Sequence, residues 1–240
     1  MCQYHVPPKQ TRRSETVNYE LKDNIAVITF DNGKANAVNP DFMDAIDSFL
    51  DKAEKEADAV VLAGRTGMFS AGYDLKIIQA DPEAGKAMIE RGLGMLYRFY
   101  SFPKPLVAAC DGHAIGLGAF MLMVADTRIG ADTEYFVRLP ETAINMPFGD
   151  LLMEIAKSRL NRQEHIKRIV QSVPCTPSEA VTAGFLDALV PQEQLMAAAM
   201  KVASDLAELP AKYYAQNKLD VRRDSLKIMA DSIKVDSIGG

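Results

Sequence analysis

Hydrophobic positions recur along this chain with two different periods, and they switch between them repeatedly. Val17 to Leu21 and Ile25 to Phe30 are strand-like runs split by Lys22-Asp23-Asn24, a hairpin-type turn. After Asp31-Asn32-Gly33, Asn39-Pro40 supplies a cap and a first-turn proline. Phe42, Ile46, Phe49 and Leu50 follow at helical spacing and predict an amphipathic helix to about Glu56. Asp58 to Ala63 is a buried strand, and Gly64 to Asp74 a glycine-containing loop leading into a short helical turn at Leu75 to Gln79. Asp81-Pro82-Glu83 opens a helix carrying Met88, Leu93, Leu96, Tyr97 and Tyr100.

The centre of the chain is residues 103 to 126. Leu106 to Cys110 is a short apolar run, broken by Asp111-Gly112. Gly116-Leu117-Gly118 then opens a second run, Ala119 to Ala125, with the length and composition of a buried helix. A helix that begins on such a turn leaves backbone N–H groups unpaired, and these can hold negative charge.

Beyond it, Thr127 to Gly130 and Tyr135 to Val137 are short strand candidates, and Leu139-Pro140-Glu141 turns out of them. Helices are expected over Gly149 to Ser158, after a capping box Asn161 to Glu164, and after a second box Thr176 to Glu179 that stops at Gly184. Leu186 to Val190 is extended. Pro191 to Glu208 and Pro210 to about Lys234 are two closing helices. Strand and helix alternate in the first half and helix dominates the second, so the fold class is α/β with a helical C-terminal part.

Composition narrows the function. The 240 residues are 48% hydrophobic and 25% charged, with a net charge of −5. This is a globular balance, and it disfavours a nucleic-acid surface. Cys2, Cys110 and Cys175 form neither a disulfide framework nor a zinc motif. No signal peptide or membrane-length apolar run is visible, so a cytoplasmic protein acting without membrane partners is expected. A third glycine of a dinucleotide fingerprint would fall at Met121, which breaks that pattern. Ser70 has Met68 rather than glycine two residues before it, so no nucleophile elbow exists. His5, His113 and His165 lack ligand spacing, and His113 reads as a packed or solvent-facing turn residue. Taken alone, Gly72, Gly112, Gly116 and Gly118 are equally explained by tight turns.

Taken together the motifs resemble the crotonase superfamily, the enoyl-CoA hydratase/isomerase family. Phe69-Ser70-Ala71-Gly72-Tyr73-Asp74-Leu75 is similar to its first signature. Lys104-Pro105 followed by Asp111-Gly112-His113-Ala114-Ile115-Gly116-Leu117-Gly118 is similar to its second. Lys34 to Val38, Leu139-Pro140-Glu141 and Pro177 to Val190 match further segments in order, so the resemblance covers residues 17 to about 210.

The resemblance implies a spiral of ββα units over 15–190, preceded by a loose arm over 1–14. A C-terminal helical region, 191–240, would build homotrimers or dimers of trimers. It also implies an acyl-CoA thioester substrate, with coenzyme A entering as part of that substrate, no tightly bound cofactor and no metal. The backbone N–H groups of Tyr73 and Leu117 would stabilise a thioester enolate.

The family's first catalytic glutamate falls at Phe120 and is missing. Its second falls at Glu141, which leaves a single candidate base, the arrangement of the double-bond isomerases. Asp150 is either a helix cap or a second carboxylate that would restore a hydratase or dienoyl isomerase mechanism. For coenzyme A the candidates are backbone at Asn36, Ala37 and Val38, with Lys34 and Lys76 as phosphate partners or simply surface charges. Asp74 is expected to brace its loop. Phe120, Met43, Met146 and Phe148 line an acyl pocket or belong to the core. A family member that binds without turnover is the alternative from another functional class.

Overall fold

The computed structural model describes residues 17–238, and side chains as far as residue 233; the arm expected over 1–14 lies outside them. β1 (Val17–Lys22) and β2 (Ile25–Phe30) pair antiparallel, with Val17 opposite Phe30. Asp23 and Asn24 join them with φ of 48° and 61°, the left-handed pair that a two-residue hairpin requires. α1 (Pro40–Glu56) starts as expected: the Asn39 side chain accepts from Phe42 N–H at 2.9 Å. Next come β3 (Ala59–Ala63), β4 (Gly67–Ser70), α2 (Leu75–Ala80) and α3 (Pro82–Ser101). Asp81 N–H closes α2 on Ile77 C=O while its carboxylate caps α3 through Glu83 and Ala84 N–H.

The central stretch folds as β5 (Leu106–Cys110), β6 (Gly112–Ile115) and the fully buried α4 (Leu117–Met123). β7 (Thr127–Ala131), β8 (Val137–Arg138), a 3₁₀ turn at Glu141–Ile144 and α5 (Gly149–Arg159) follow. The C-terminal part holds α6 (Pro177–Ala183), β9 (Ala188–Val190), α7 (Leu195–Ala207), α8 (Ala211–Val221) and α9 (Arg223–Ile238).

Two sheets explain the spiral. One has the order β1-β2-β3-β5-β7-β9, the other β4-β6-β8. Each repeat lays one strand into the large sheet and the next into the small one, parallel to its predecessors. The large sheet is covered on both faces, so β3 and β5 are apolar throughout. Val60, Leu62, Leu106 and Ala108 join the main core, whereas Val61, Ala63, Val107 and Ala109 meet Leu195, Ala199 and Ala203 of α7. Those three recur every fourth residue and form one helical face.

Four expectations are corrected. The loop expected over Gly64 to Asp74 contains β4. Asp111-Gly112 does not simply end a strand; it passes the chain from β5 in one sheet to β6 in the other. The box at Asn161 does not form: its side chain donates to Thr182 C=O, and Glu164 binds Arg168 at 2.8 Å, leaving a 3₁₀ turn that runs into a π-helical turn at Ile166–Val170. The last helix is two, broken at Arg222. The box at Thr176 forms in full, with Gly184 as its left-handed stop.

Candidate active site

The small sheet brings two distant segments together. β4 runs into Ala71-Gly72-Tyr73, and its parallel neighbour β6 runs into Gly116 and α4. The approach is close: a Cβ added to Gly72, whose φ is +86°, would lie 3.1 Å from Leu117 N, and one on Gly118 would run into Ser70 C=O. Glycine is therefore required for backbone contact, not only for turning.

The amides around this contact are nearly all spent. Ala71 N–H donates to Ala35 C=O at 2.9 Å, Gly72 N–H to Ser70 Oγ at 3.1 Å, and Asp74 N–H to Val38 C=O at 2.9 Å. Tyr73 N–H, between them, has no partner among the described residues. Gly116 N–H donates to Arg138 C=O at 3.0 Å, and Ala119 and Phe120 N–H return to Gly116 C=O. Leu117 N–H, at the first position of α4, is likewise without a partner among the described residues. Two free donors on adjoining segments form a hole for one developing oxyanion. The Tyr73 side chain turns away and anchors the loop to α3, its hydroxyl donating to Ile89 C=O at 2.9 Å, and burial pushes its pKa upward.

β8 extends the small sheet beyond β6, with Ile115 opposite Arg138. This register delivers Leu139-Pro140-Glu141 beside the hole: a Cβ on Gly116 would sit 3.6 Å from Glu141 Oε1. Glu141 is 5% exposed, and its Oε2 has no hydrogen-bond partner. Burial pushes its carboxyl up from 4.5 to about 7, opposed only by a hydrogen bond from its own backbone N–H. A buried carboxylate of that basicity beside two free N–H groups can take a proton from carbon while the resulting charge is held.

The opposite flank is apolar. Phe120 is fully buried and meets Phe148 edge to face at 6.1 Å between ring centres. Met146 is half-buried, and its N–H donates to Glu141 C=O at 2.8 Å. Met43 belongs to the main core. The cap expected at Asp150 is corrected: helix α5 is entered from Phe148, and Asp150 lies exposed in its first turn without a side-chain capping bond.

The segment from Lys34 to Val38 is mostly framework. Asn36 is buried at φ +44°. Its amide donates to Phe30, Met68 and Phe69 C=O and its Oδ1 accepts from Asn32 N–H. Ser70 Oγ donates to Asn36 C=O at 2.8 Å, so this buried serine ties the clamp to the Tyr73 loop. The sequence excludes Ser70 only as a nucleophile; its place inside the Phe69 to Leu75 motif was the available signal for this structural role. Val38 is committed on both sides, to Gly72 C=O and Asp74 N–H, and Ala37 C=O accepts from the Asn32 side chain. Lys34 and Lys76 are exposed. Asp74 braces its loop as expected, accepting from Lys76 N–H at the start of α2. His113 is packed rather than ligating: it accepts from Phe136 N–H at 3.1 Å and lies on that ring, on β6 rather than in a turn.

Comparison with known proteins gives one consistent answer. A family model described as enoyl-CoA hydratase/isomerase matches residues 20–237. A probable enoyl-CoA hydratase of Bacillus subtilis is 28% identical over 219 residues, 86% of this chain and 84% of that protein. A solved enoyl-CoA hydratase/isomerase family protein from Pseudomonas syringae superposes with a TM-score of 0.90 at 35% identity, over 94% of this chain and 98% of the other. A Mycobacterium tuberculosis protein, solved once as an enoyl-CoA isomerase and once as a probable enoyl-CoA hydratase, superposes at 0.89 with 34% identity over 95% and 100%, and at 0.88 with 35% identity over 92% and 94%.

Proposed function

The chain belongs to the enoyl-CoA hydratase/isomerase family, and from that premise we propose that it moves a double bond, converting 3-enoyl-CoA to 2-enoyl-CoA with Glu141 as the single base. The thioester oxygen would accept from Tyr73 and Leu117 N–H. Glu141 would take a proton from the carbon beside the carbonyl, and the electron pair would spread over a dienolate. The same carboxyl would return the proton two carbons further on, so no water is consumed and no second acid is needed. Coenzyme A enters as part of the substrate, and the exposed Lys34 and Lys76 are the candidate partners for its phosphates.

The observation that carries this reading is the pairing of a buried Glu141, whose Oε2 has no partner among the described residues, with an apolar Phe120–Phe148 flank. Hydration needs a held and activated water, and two aromatic rings offer no acceptor for one. Asp150, the other candidate carboxylate, is exposed. Parallel assays with 3-enoyl-CoA and 2-enoyl-CoA test the proposal. Isomerisation of the first without hydration of the second is expected. Rapid hydration of 2-enoyl-CoA, or bound acyl-CoA with no product, would refute it.

A further inference from the structure

The Gly72–Tyr73 peptide carries one of the two open donors, and its other side is fixed. Gly72 C=O accepts from Val38 N–H at 2.8 Å. A planar trans peptide holds its C=O and N–H in opposite directions, so this bond at the oxygen sets where Tyr73 N–H points. It also polarises the amide and makes that N–H a stronger donor. The second donor is built the same way. Gly116 C=O accepts from Ala119 and Phe120 N–H, at 2.9 and 3.1 Å, and the same peptide carries Leu117 N–H. Helix α4 fixes that second peptide by itself. The first depends on a separate segment, Asn36 to Val38, staying against the loop.

Ser70 makes that connection. It is fully buried at the end of β4, opposite Ala114 of β6. Its hydroxyl has one proton to give and two lone pairs. The proton goes to Asn36 C=O at 2.8 Å, and a lone pair takes Gly72 N–H at 3.1 Å. One oxygen thus grips both the segment that ends at Val38 and the peptide just before the donor. The Ser70 Cβ also limits how near α4 can come, since a Cβ on Gly118 would lie 2.8 Å from it.

We propose that Ser70 is a positioning residue for the oxyanion hole: its hydroxyl locks the Val38 segment to the loop, and Val38 N–H then aims Tyr73 N–H at the thioester oxygen. This rests on the two-amide hole proposed above, but not on the choice between isomerisation and hydration. Infrared difference spectra of bound hexanoyl-CoA, isotope-labelled at its carbonyl, test it, because the saturated thioester can fill the hole without reacting. In the parent the carbonyl stretch should fall below its value in water. Ser70→Ala should lose about half of that lowering, the share of one donor in two. Its kcat for enoyl-CoA should fall about tenfold to a hundredfold, while KM changes by less than about threefold. Ser70→Cys, which keeps a weaker donor and acceptor, should fall between. Thr176→Ala removes the α6 cap and destabilises the fold away from the loop. It should leave the stretch and kcat at the parent values, which separates aim from stability. A folded Ser70→Ala with the parent's stretch and kcat would overturn the proposal; should that variant not fold, the same result in Ser70→Cys would do so. A parent stretch no lower than in water would instead overturn the hole on which the proposal stands.

Discussion

Replacing Glu141 by glutamine preserves shape and removes the proposed base, and its consequences for rate and for stability have opposite signs. The carboxyl is raised from 4.5 to about 7 by burial. Between those two pH values the folded protein holds a proton that the unfolded chain has released. Stability therefore falls as pH rises through this window, and the full cost of burying the charge is present above about pH 7. The gap corresponds to about 3 kcal/mol. Glutamine does not titrate, so the stability of Glu141→Gln relative to the parent should climb by about 3 kcal/mol from pH 4.5 to pH 8. In a chain of this size that is a rise in the Tm difference of about 6 to 12 °C. A buried amide lacking a partner costs about 1–3 kcal/mol of its own, but equally at every pH. The pH dependence of the difference is thus the diagnostic quantity, read from thermal melts of both proteins across the window.

The same substitution should lower the isomerisation rate by about 10² to 10⁴. The parent's kcat/KM should rise with pH around 7, as the free carboxyl ionises. A variant that retains parental activity, or a Tm difference that does not change with pH, would refute the reasoning.

Gly72→Ala places a methyl 3.1 Å from Leu117 N and 3.0 Å from Ile115 O at a φ of +86°; kcat should fall by about 10² or more, with a native circular dichroism spectrum. Tyr73→Phe loses only the hydroxyl bond to Ile89 C=O, so denaturant melts should show a loss of about 1 kcal/mol while kcat stays within twofold or so, because the donor proposed for catalysis is the backbone N–H. Asn36→Ala removes an amide that joins Phe30, Met68 and Phe69; chemical denaturation should show about 2–4 kcal/mol lost, since buried acceptors are stranded.

The long, periodic elements were legible from the residues. Asn39-Pro40 and Thr176-Pro177 announce their helices, and both caps form; Glu179 keeps its bond to Thr176 N–H through Oε2 while Lys167 and Arg168 stand 3.5 Å from Oε1. The box at Asn161 has the same spelling and fails, because Arg168 captures Glu164 and Thr182 captures Asn161. β4 and β6 escaped notice: each is four residues long, begins with glycine and takes its strand partners from elsewhere in the chain. The break at Arg222 is likewise tertiary, since that side chain is held by Tyr100 C=O and Asp126 from another part of the chain. At the site, the motifs named Tyr73, Leu117 and Glu141 through resemblance, and the folded chain places all three around Gly116. What no local pattern carries is the environment of Glu141: a Leu-Pro-Glu turn reads equally well as a solvated surface corner, and only the β6–β8 pairing buries it. Asp150 is the reverse case, a plausible carboxylate that the fold leaves on the surface.

The most direct test of the central claim, a single buried carboxyl that carries one proton beside a two-amide hole, is isotopic. 3-Enoyl-CoA deuterated at the carbon next to the carbonyl is turned over in ordinary water, and the product is examined by mass spectrometry and NMR. The account predicts 2-enoyl-CoA with part of the deuterium recovered two carbons away, carried there by Glu141. Product consisting of 3-hydroxyacyl-CoA, or 2-enoyl-CoA with no deuterium at the carbon two positions away, would contradict it.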